Sequence, residues 1–299
     1  MTGSKSNEEL CQWVTPDGLA SCYRISRCKN TKATVILLHG LASNMTRWSE
    51  FVEYTSLPAQ WNVIRVDLRG HGCSVFRGKL TRKKWCDDLR ALLQREGVTR
   101  GVFVGHSLGA QIALELAASH AELVQGLILL DPVFPDTLTG KMEDIRRQGF
   151  WIRTLAVLSR GMNALGIYRR KLPYRDLHQL DERTREILAA AEDQDIADLY
   201  MSPREDLKYI PTTIYFQELC IVVEHLPDPT QIAVPVRVLL SAGGSTSQIT
   251  PLREKIARFP DGRCVDIDAD HWMLTEKPEK TREAIETFCE QLAAERPPS

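Results

Sequence analysis

The chain has 299 residues, 43% of them apolar and 26% charged, enough to bury a sizeable core in one large or two ordinary domains. A formal net charge of −1 offers no global attraction to nucleic acid or to an anionic membrane, so any electrostatic partner has to be recognised locally. No run of about 18 apolar residues is present to cross a bilayer as a helix.

The amino terminus, MTGSKSNEEL, lacks the apolar core of a signal peptide, and a cytoplasmic location is the expectation. The eight cysteines form neither a Cys-x-x-Cys pair nor a Cys/His zinc spacing. They are expected to be reduced, mostly structural thiols, with no metal and no cofactor.

Tyr23 and Ile25 fit an edge strand. Short apolar runs of buried-strand type follow at 34–40 (TVILLHG), 61–68 (WNVIRVDL), 101–107 (GVFVGHS) and 124–131 (VQGLILLD). Between them lie segments of helical length and pattern, such as LTRKKWCDDLRALLQREG and LGAQIALELAASH. The β-α-β-α order predicts an α/β protein with a mostly parallel sheet and helices on both faces.

The rhythm breaks after Asp131. Residues 133–232 turn helical, rich in Arg, Leu and Ala, and strand patterns resume at 234–240 and 262–268. This predicts a core domain made of 1–132 and 233–299, with 133–232 as a helical insertion. PEKTREAIETFCEQLAAE is an amphipathic helix and ERPPS a frayed tail.

The strongest chemical signal is Gly105-His106-Ser107-Leu108-Gly109, which lies directly between a strand pattern and a helix pattern. Gly-x-Ser-x-Gly in that setting predicts a nucleophile elbow, a turn so tight that only glycine fits at its flanks and the serine hydroxyl is pushed outward. The helix that follows aims its free N–H groups and positive dipole end at the same place.

With Leu38-His39-Gly40-Leu41, Asp67-Leu68-Arg69-Gly70-His71-Gly72, Leu130-Asp131-Pro132 and Asp270-His271-Trp272, the elbow resembles a serine hydrolase of the α/β-hydrolase fold, of the capped, esterase-like kind. The likeness covers essentially the whole chain except the interior of the insertion. It implies an α/β-hydrolase fold with a helical cap inserted after the sixth strand, and Ser107 as nucleophile with His271 as general base. The backbone N–H groups of Leu41 and Leu108 would form the oxyanion hole. His39 is expected to order its turn, and Asp67, Arg69 and His71 to shape the loop after the fourth strand. His106, His120, His178 and His225 lie in elbow, helix or insertion contexts.

The family's acid belongs in the loop after strand 234–240, yet no Asp or Glu occurs between Val234 and Glu254, and Ser247 stands where an aspartate is expected. Asp131 at the end of the preceding strand is the preferred substitute, since neighbouring strands lie only about 4.8 Å apart. A Ser–His dyad helped by water or Ser247, or a carboxylate at Asp268 or Asp270, stays open beside it.

The insertion carries aromatic and aliphatic residues among many arginines. Arg146, Arg147, Arg153 or Arg169 could meet a substrate carboxylate, but solvated basic faces are the plainer expectation, with Phe150, Trp151, Met162 and Tyr168 as cap core. The resemblance implies a cofactor-free hydrolase acting on an ester, lactone, thioester or C–C ketone of a small acyl-bearing molecule, in a chain that could form a homodimer. A ligand-binding, receptor-like relative with an impaired triad is the alternative.

Overall fold

The apolar runs become strands because successive side chains find apolar partners on both sides of one sheet. In the computed structural model, Val35 and Leu37 enter one core cluster with Trp48, Val102 and Ile128, whereas Ile36 and Leu38 enter the other with Trp85, Phe103 and Leu129. That period-two split is why these segments read as continuous apolar runs.

The structure describes residues 8–31, 33–190, 200–242 and 247–295. Residues 1–7, most of the expected carboxyl-terminal tail and positions 243–246 of the acid loop lie outside the described residues. The strands are β1 (Glu9–Val14), β2 (Ala20–Ser26), β3 (Thr34–Leu38), β4 (Asn62–Val66), β5 (Gly101–His106), β6 (Val124–Leu130), β7 (Val236–Ser241) and β8 (Gly262–Ile267). They form one sheet in the order β1-β2-β4-β3-β5-β6-β7-β8. β1 and β2 pair antiparallel, β2 joins β4 antiparallel, and the remaining pairs are parallel. β1 was not legible beforehand: its exposed face carries Leu10 and Val14 with Gln12, while Glu9 shares the other face with Cys11 and Trp13, so apolar and polar residues stand on both faces and hide the alternation.

Helix α1 (Ser49–Tyr54) packs on one sheet face; α2 (Arg82–Arg95) and α3 (Leu108–Ser119) pack on the other. α2 shows the local logic. Thr81 caps it by accepting from the Lys84 N–H, and Trp85, Leu89, Leu92 and Leu93 recur at the spacing that buries one stripe.

Between β6 and β7 the chain forms α4 (Gly140–Arg147), α5 (Gly149–Ala164), α6 (Leu177–Ala189) and α7 (Thr212–Ile221), with no strand among the described residues. The core closes with α8 (Ile249–Ile256) and α9 (Pro278–Glu295), whose Ile285 and Phe288 join the first cluster's face. Strand order reverses between β3 and β5, so the carboxyl ends of these strands open a crevice, where α/β sheets place their ligands.

Two expectations are corrected. Phe150, Trp151 and Met162 are exposed rather than core, because α5 buries only Ile152 and Ala156 against its neighbours, and Tyr168, past the end of α5, is exposed with the Arg77 guanidinium over its ring. Cys22 on β2 is paired with Cys73 as a disulfide, with Cα atoms 6.1 Å apart, so not all the thiols are free.

Candidate active site

β5 runs completely buried to His106 and then turns into α3 at Ser107. The backbone at Ser107 has φ 53° and ψ −112°, a conformation that side-chain-bearing residues rarely adopt and that costs on the order of 1–3 kcal/mol. Its N–H is held by the Leu130 carbonyl at 2.9 Å. A Cβ at Gly105 would stand 2.4 Å from the Gly109 carbonyl, and one at Gly109 would stand 2.4 Å from the Leu38 oxygen and 2.7 Å from the His39 oxygen. These are backbone atoms, which cannot swing aside. Gly109→Ala is therefore expected to destabilise the fold by about 3 kcal/mol or more. A lowered urea midpoint at unchanged slope checks it.

Asp131 follows β6 with φ 43°, its N–H bonded to the Leu239 carbonyl of the adjoining β7 at 2.8 Å. One carboxylate oxygen lies 2.5 Å from Nδ1 of His271, and the other accepts from the Ser241 hydroxyl at 2.9 Å and the Ser241 N–H at 3.3 Å. Burial alone would raise the Asp131 pKa. The His271 hydrogen bond and charge, reinforced by Ser241, overcome it and hold the carboxyl below its ordinary value.

The loop bearing His271 is clamped on both sides. Its carbonyl bonds to Nε2 of His106 at 2.9 Å, and the N–H groups of Asp270 and Trp272 donate to the Glu276 carboxylate at 2.8 and 3.2 Å. Burial, followed by the charge of His271, pushes the His106 pKa down to about 3. His106 is thus neutral, and because a carbonyl only accepts, its proton sits on Nε2. Sequence reasoning passed over His106, Ser241 and Glu276. His106 and Ser241 act across 165 and 110 positions, which no local pattern encodes.

The loop after β3 faces the elbow. Gly40 lies against Ser107 and His106, and Ala42, with φ 50°, donates its N–H to the Glu218 carboxylate of α7 at 3.3 Å. The other Glu218 oxygen lies 2.7 Å from Nε2 of buried His71. His39 accepts from the Leu68 N–H at 3.1 Å and so joins the turns after β3 and β4. Asp67 accepts from the N–H groups of Met45 and Cys73, and Arg69 pairs with Asp17 and Asp88. Among the described residues, neither the Leu41 nor the Leu108 N–H is spent on a protein acceptor.

Ser107, His271, Gly40 and Leu41 line one cavity of about 630 Å³, roofed by Met142, Ile152, Leu155, Leu219 and Val222 from the helices between β6 and β7. That volume suits a small-molecule site. Arg146, Arg147, Arg153 and Arg169 are not on its wall. Arg146 and Arg147 pair with Glu143 on the surface, and Arg169 donates to the carbonyls of Leu207 and Lys208. The arginines that do reach the cavity are Arg47 and Arg175, ion-paired with Asp181 and Asp206. Their charges are already met.

Ser247 is buried, forms an isolated bridge with Leu138, and its hydroxyl has no partner among the described residues. It is not on the cavity wall. Asp268 is exposed, and neither it nor Asp270 bonds to the imidazole among the described residues.

A parallel sheet whose strand ends gather a strained serine, a histidine and an aspartate under a helical roof is the architecture of the α/β hydrolases. A profile of the alpha/beta hydrolase family matches residues 35–284, and the chain belongs to that family. It is 22% identical over 270 residues to a Haemophilus influenzae protein named as a candidate esterase/lipase, covering 89% of this chain and 87% of that one. Human protein ABHD8 is 30% identical over 120 residues, which span 38% of this chain but 27% of ABHD8. Among solved structures, the enol-lactonase from Burkholderia xenovorans superposes with a TM-score of 0.68 at 20% identity, covering 94% of this chain and all of the other.

Proposed function

We propose that the protein is a serine hydrolase that cleaves an ester, or a related activated carbonyl such as a lactone, thioester or C–C ketone, through an acyl-enzyme on Ser107. The observation that carries this is the 2.5 Å contact between Asp131 and Nδ1 of His271 beside a serine on the same cavity wall. With Nδ1–H held by the carboxylate, the other ring nitrogen is free to take the Ser107 proton during attack and return it to the leaving group. The Leu41 and Leu108 N–H groups receive the developing oxyanion, and water then resolves the acyl-enzyme. No cofactor enters this scheme.

Residues 133–232 act as the cap over a core of 1–132 and 233–299. The apolar roof and the neutralised Arg47 and Arg175 favour an uncharged, small to medium apolar substrate over a carboxylate-bearing one. The names of the Haemophilus and Burkholderia proteins, an esterase/lipase candidate and an enol-lactonase, fit the same chemistry. The receptor-like alternative drew on an acid loop without a carboxylate, and a paired Asp131 supports turnover instead.

A fluorophosphonate probe is expected to label Ser107 and to abolish hydrolysis of short p-nitrophenyl esters. Absence of both labelling and an acyl burst would sink the reading.

A further inference from the structure

We propose that Glu218 of α7 is a positioning residue for the oxyanion hole: its carboxylate holds the loop after β3 in the shape that presents the Leu41 N–H to the developing charge. The inference rests on the acyl-enzyme reading of Ser107 given above. Leu41 lies between two peptides pinned from opposite sides. On the core side, the Leu68 N–H donates to Nε2 of His39 at 3.1 Å. Burial, followed by the charge of His71, pushes the His39 pKa well down, so the ring is neutral and its one proton sits on Nδ1. From there it is donated to the Gly40 carbonyl at 2.9 Å. In a planar trans peptide the N–H points opposite to the C=O, so the Leu41 N–H faces away from His39 and meets no protein acceptor among the described residues.

On the other side Glu218 holds the next peptide. The Ala42 N–H donates to one of its carboxylate oxygens at 3.3 Å, across 176 positions. Ala42 has φ 50°, in the left-handed region that a side chain disfavours, so the loop keeps this shape only where something outside it does the holding. Glu218 and His71 are both completely buried. A buried carboxylate is costly unless paired, and the second Glu218 oxygen lies 2.7 Å from Nε2 of His71. Burial alone would lower the His71 pKa. The charge and hydrogen bond of Glu218, joined by the charge of Asp67, overcome it and raise the pKa, which favours the charged ring beside the carboxylate.

The two oxygens of Glu218 therefore have different tasks. His71, in the turn after β4, keeps the carboxylate charged and aimed. Ala42 takes the bond that bears on the reaction, because Gly40, Leu41 and Ala42 line the same cavity as Ser107. A buried ion pair could tie α7 to the core from any loop, but this one ends on the residue next to an oxyanion donor. Such a donor is effective only at about 2.7–3.1 Å from the oxyanion, so a loop that relaxes at Ala42 carries the Leu41 N–H out of range.

Variants that separate reach from charge test this by their turnover of a p-nitrophenyl ester. Glu218→Gln keeps the length and an acceptor oxygen for Ala42 but loses the charge, whereas Glu218→Asp keeps the charge and falls one methylene short. Glu218→Asp is expected to lower kcat about 30-fold with KM changed less than about twofold, part of the roughly 10²–10³ that a missing oxyanion donor costs. Glu218→Gln should stay within about threefold of the parent. The Ki of a trifluoromethyl ketone, which presents an oxyanion once Ser107 has added to its carbonyl, should rise in step with the fall in kcat/KM. Ala42→Gly takes the left-handed φ at no steric cost, and should raise the kcat of Glu218→Asp about fivefold more than it changes that of the parent. A purely structural ion pair predicts the reverse order, with Glu218→Gln the worse variant and its losses confined to the urea midpoint. That order, or an Ala42→Gly effect equal in both backgrounds, overturns the proposal and leaves the hydrolase reading standing. A parent that neither hydrolyses the ester nor takes a fluorophosphonate on Ser107 overturns both.

Discussion

Ser107→Ala is expected to lower turnover of a p-nitrophenyl ester by about 10⁶ and to end fluorophosphonate labelling, while leaving the fold intact. Alanine has the same Cβ as serine, so the strained turn at φ 53° accommodates it at no extra cost. The lost factor corresponds to about 8 kcal/mol of transition-state stabilisation. It measures the covalent route, because the oxyanion donors and the cavity survive the change and still assist water. A variant that keeps more than a hundredth of the parent's rate would place the nucleophile elsewhere.

Asp131→Asn is expected to lower turnover by about 10⁴. The amide can replace the carboxylate in shape, but its NH₂ group, facing Nδ1, favours the tautomer in which the other ring nitrogen holds the proton. The base is then occupied before the reaction begins. Fluorophosphonate labelling should slow in parallel. Ser247→Asp in the Asp131→Asn background should not restore activity, since among the described residues the Ser247 hydroxyl bonds to no partner, His271 included, and a carboxylate there is not set on Nδ1. Full activity in Asp131→Asn would leave the dyad or another carboxylate as the answer.

The same variant carries a pH signature. The native pairing holds Asp131 below the ordinary aspartate value of about 3.9, so its ionised form is favoured on folding. Its contribution to stability is complete above that ordinary value and is lost as pH falls through the lower native one. Urea midpoints of the parent and Asp131→Asn should therefore differ most near neutrality and converge in acid.

Much of the core was legible because its signals are local. Val35 to Leu38 announce a doubly covered strand by being apolar without alternation, and Trp85, Leu89 and Leu92 announce a helix by their spacing. Gly105 and Gly109 mark the elbow because the collisions they avoid are with backbone atoms next to the turn. The expected placement of Phe150 and Trp151 in the cap core failed for a complementary reason. An apolar side chain shows what it prefers to contact, but no local pattern says whether a neighbouring helix is there to be contacted.

The sequence by itself determined the alternation of strands and helices, the position of the elbow, the chain order Ser107, Asp131, His271 and the absence of a carboxylate in the stretch that contains Ser247. Each of these is set within a few residues by periodicity, turn sterics or simple order. The tertiary structure decided the rest. It brought Asp131 to His271 across 140 positions, set Ser241 behind the carboxylate and His106 under the histidine loop, and left Phe150 and Trp151 of α5 in the open. Those outcomes depend on which strand lies beside which and on which helix finds a partner. Sheet order and packing set them only when the whole chain folds.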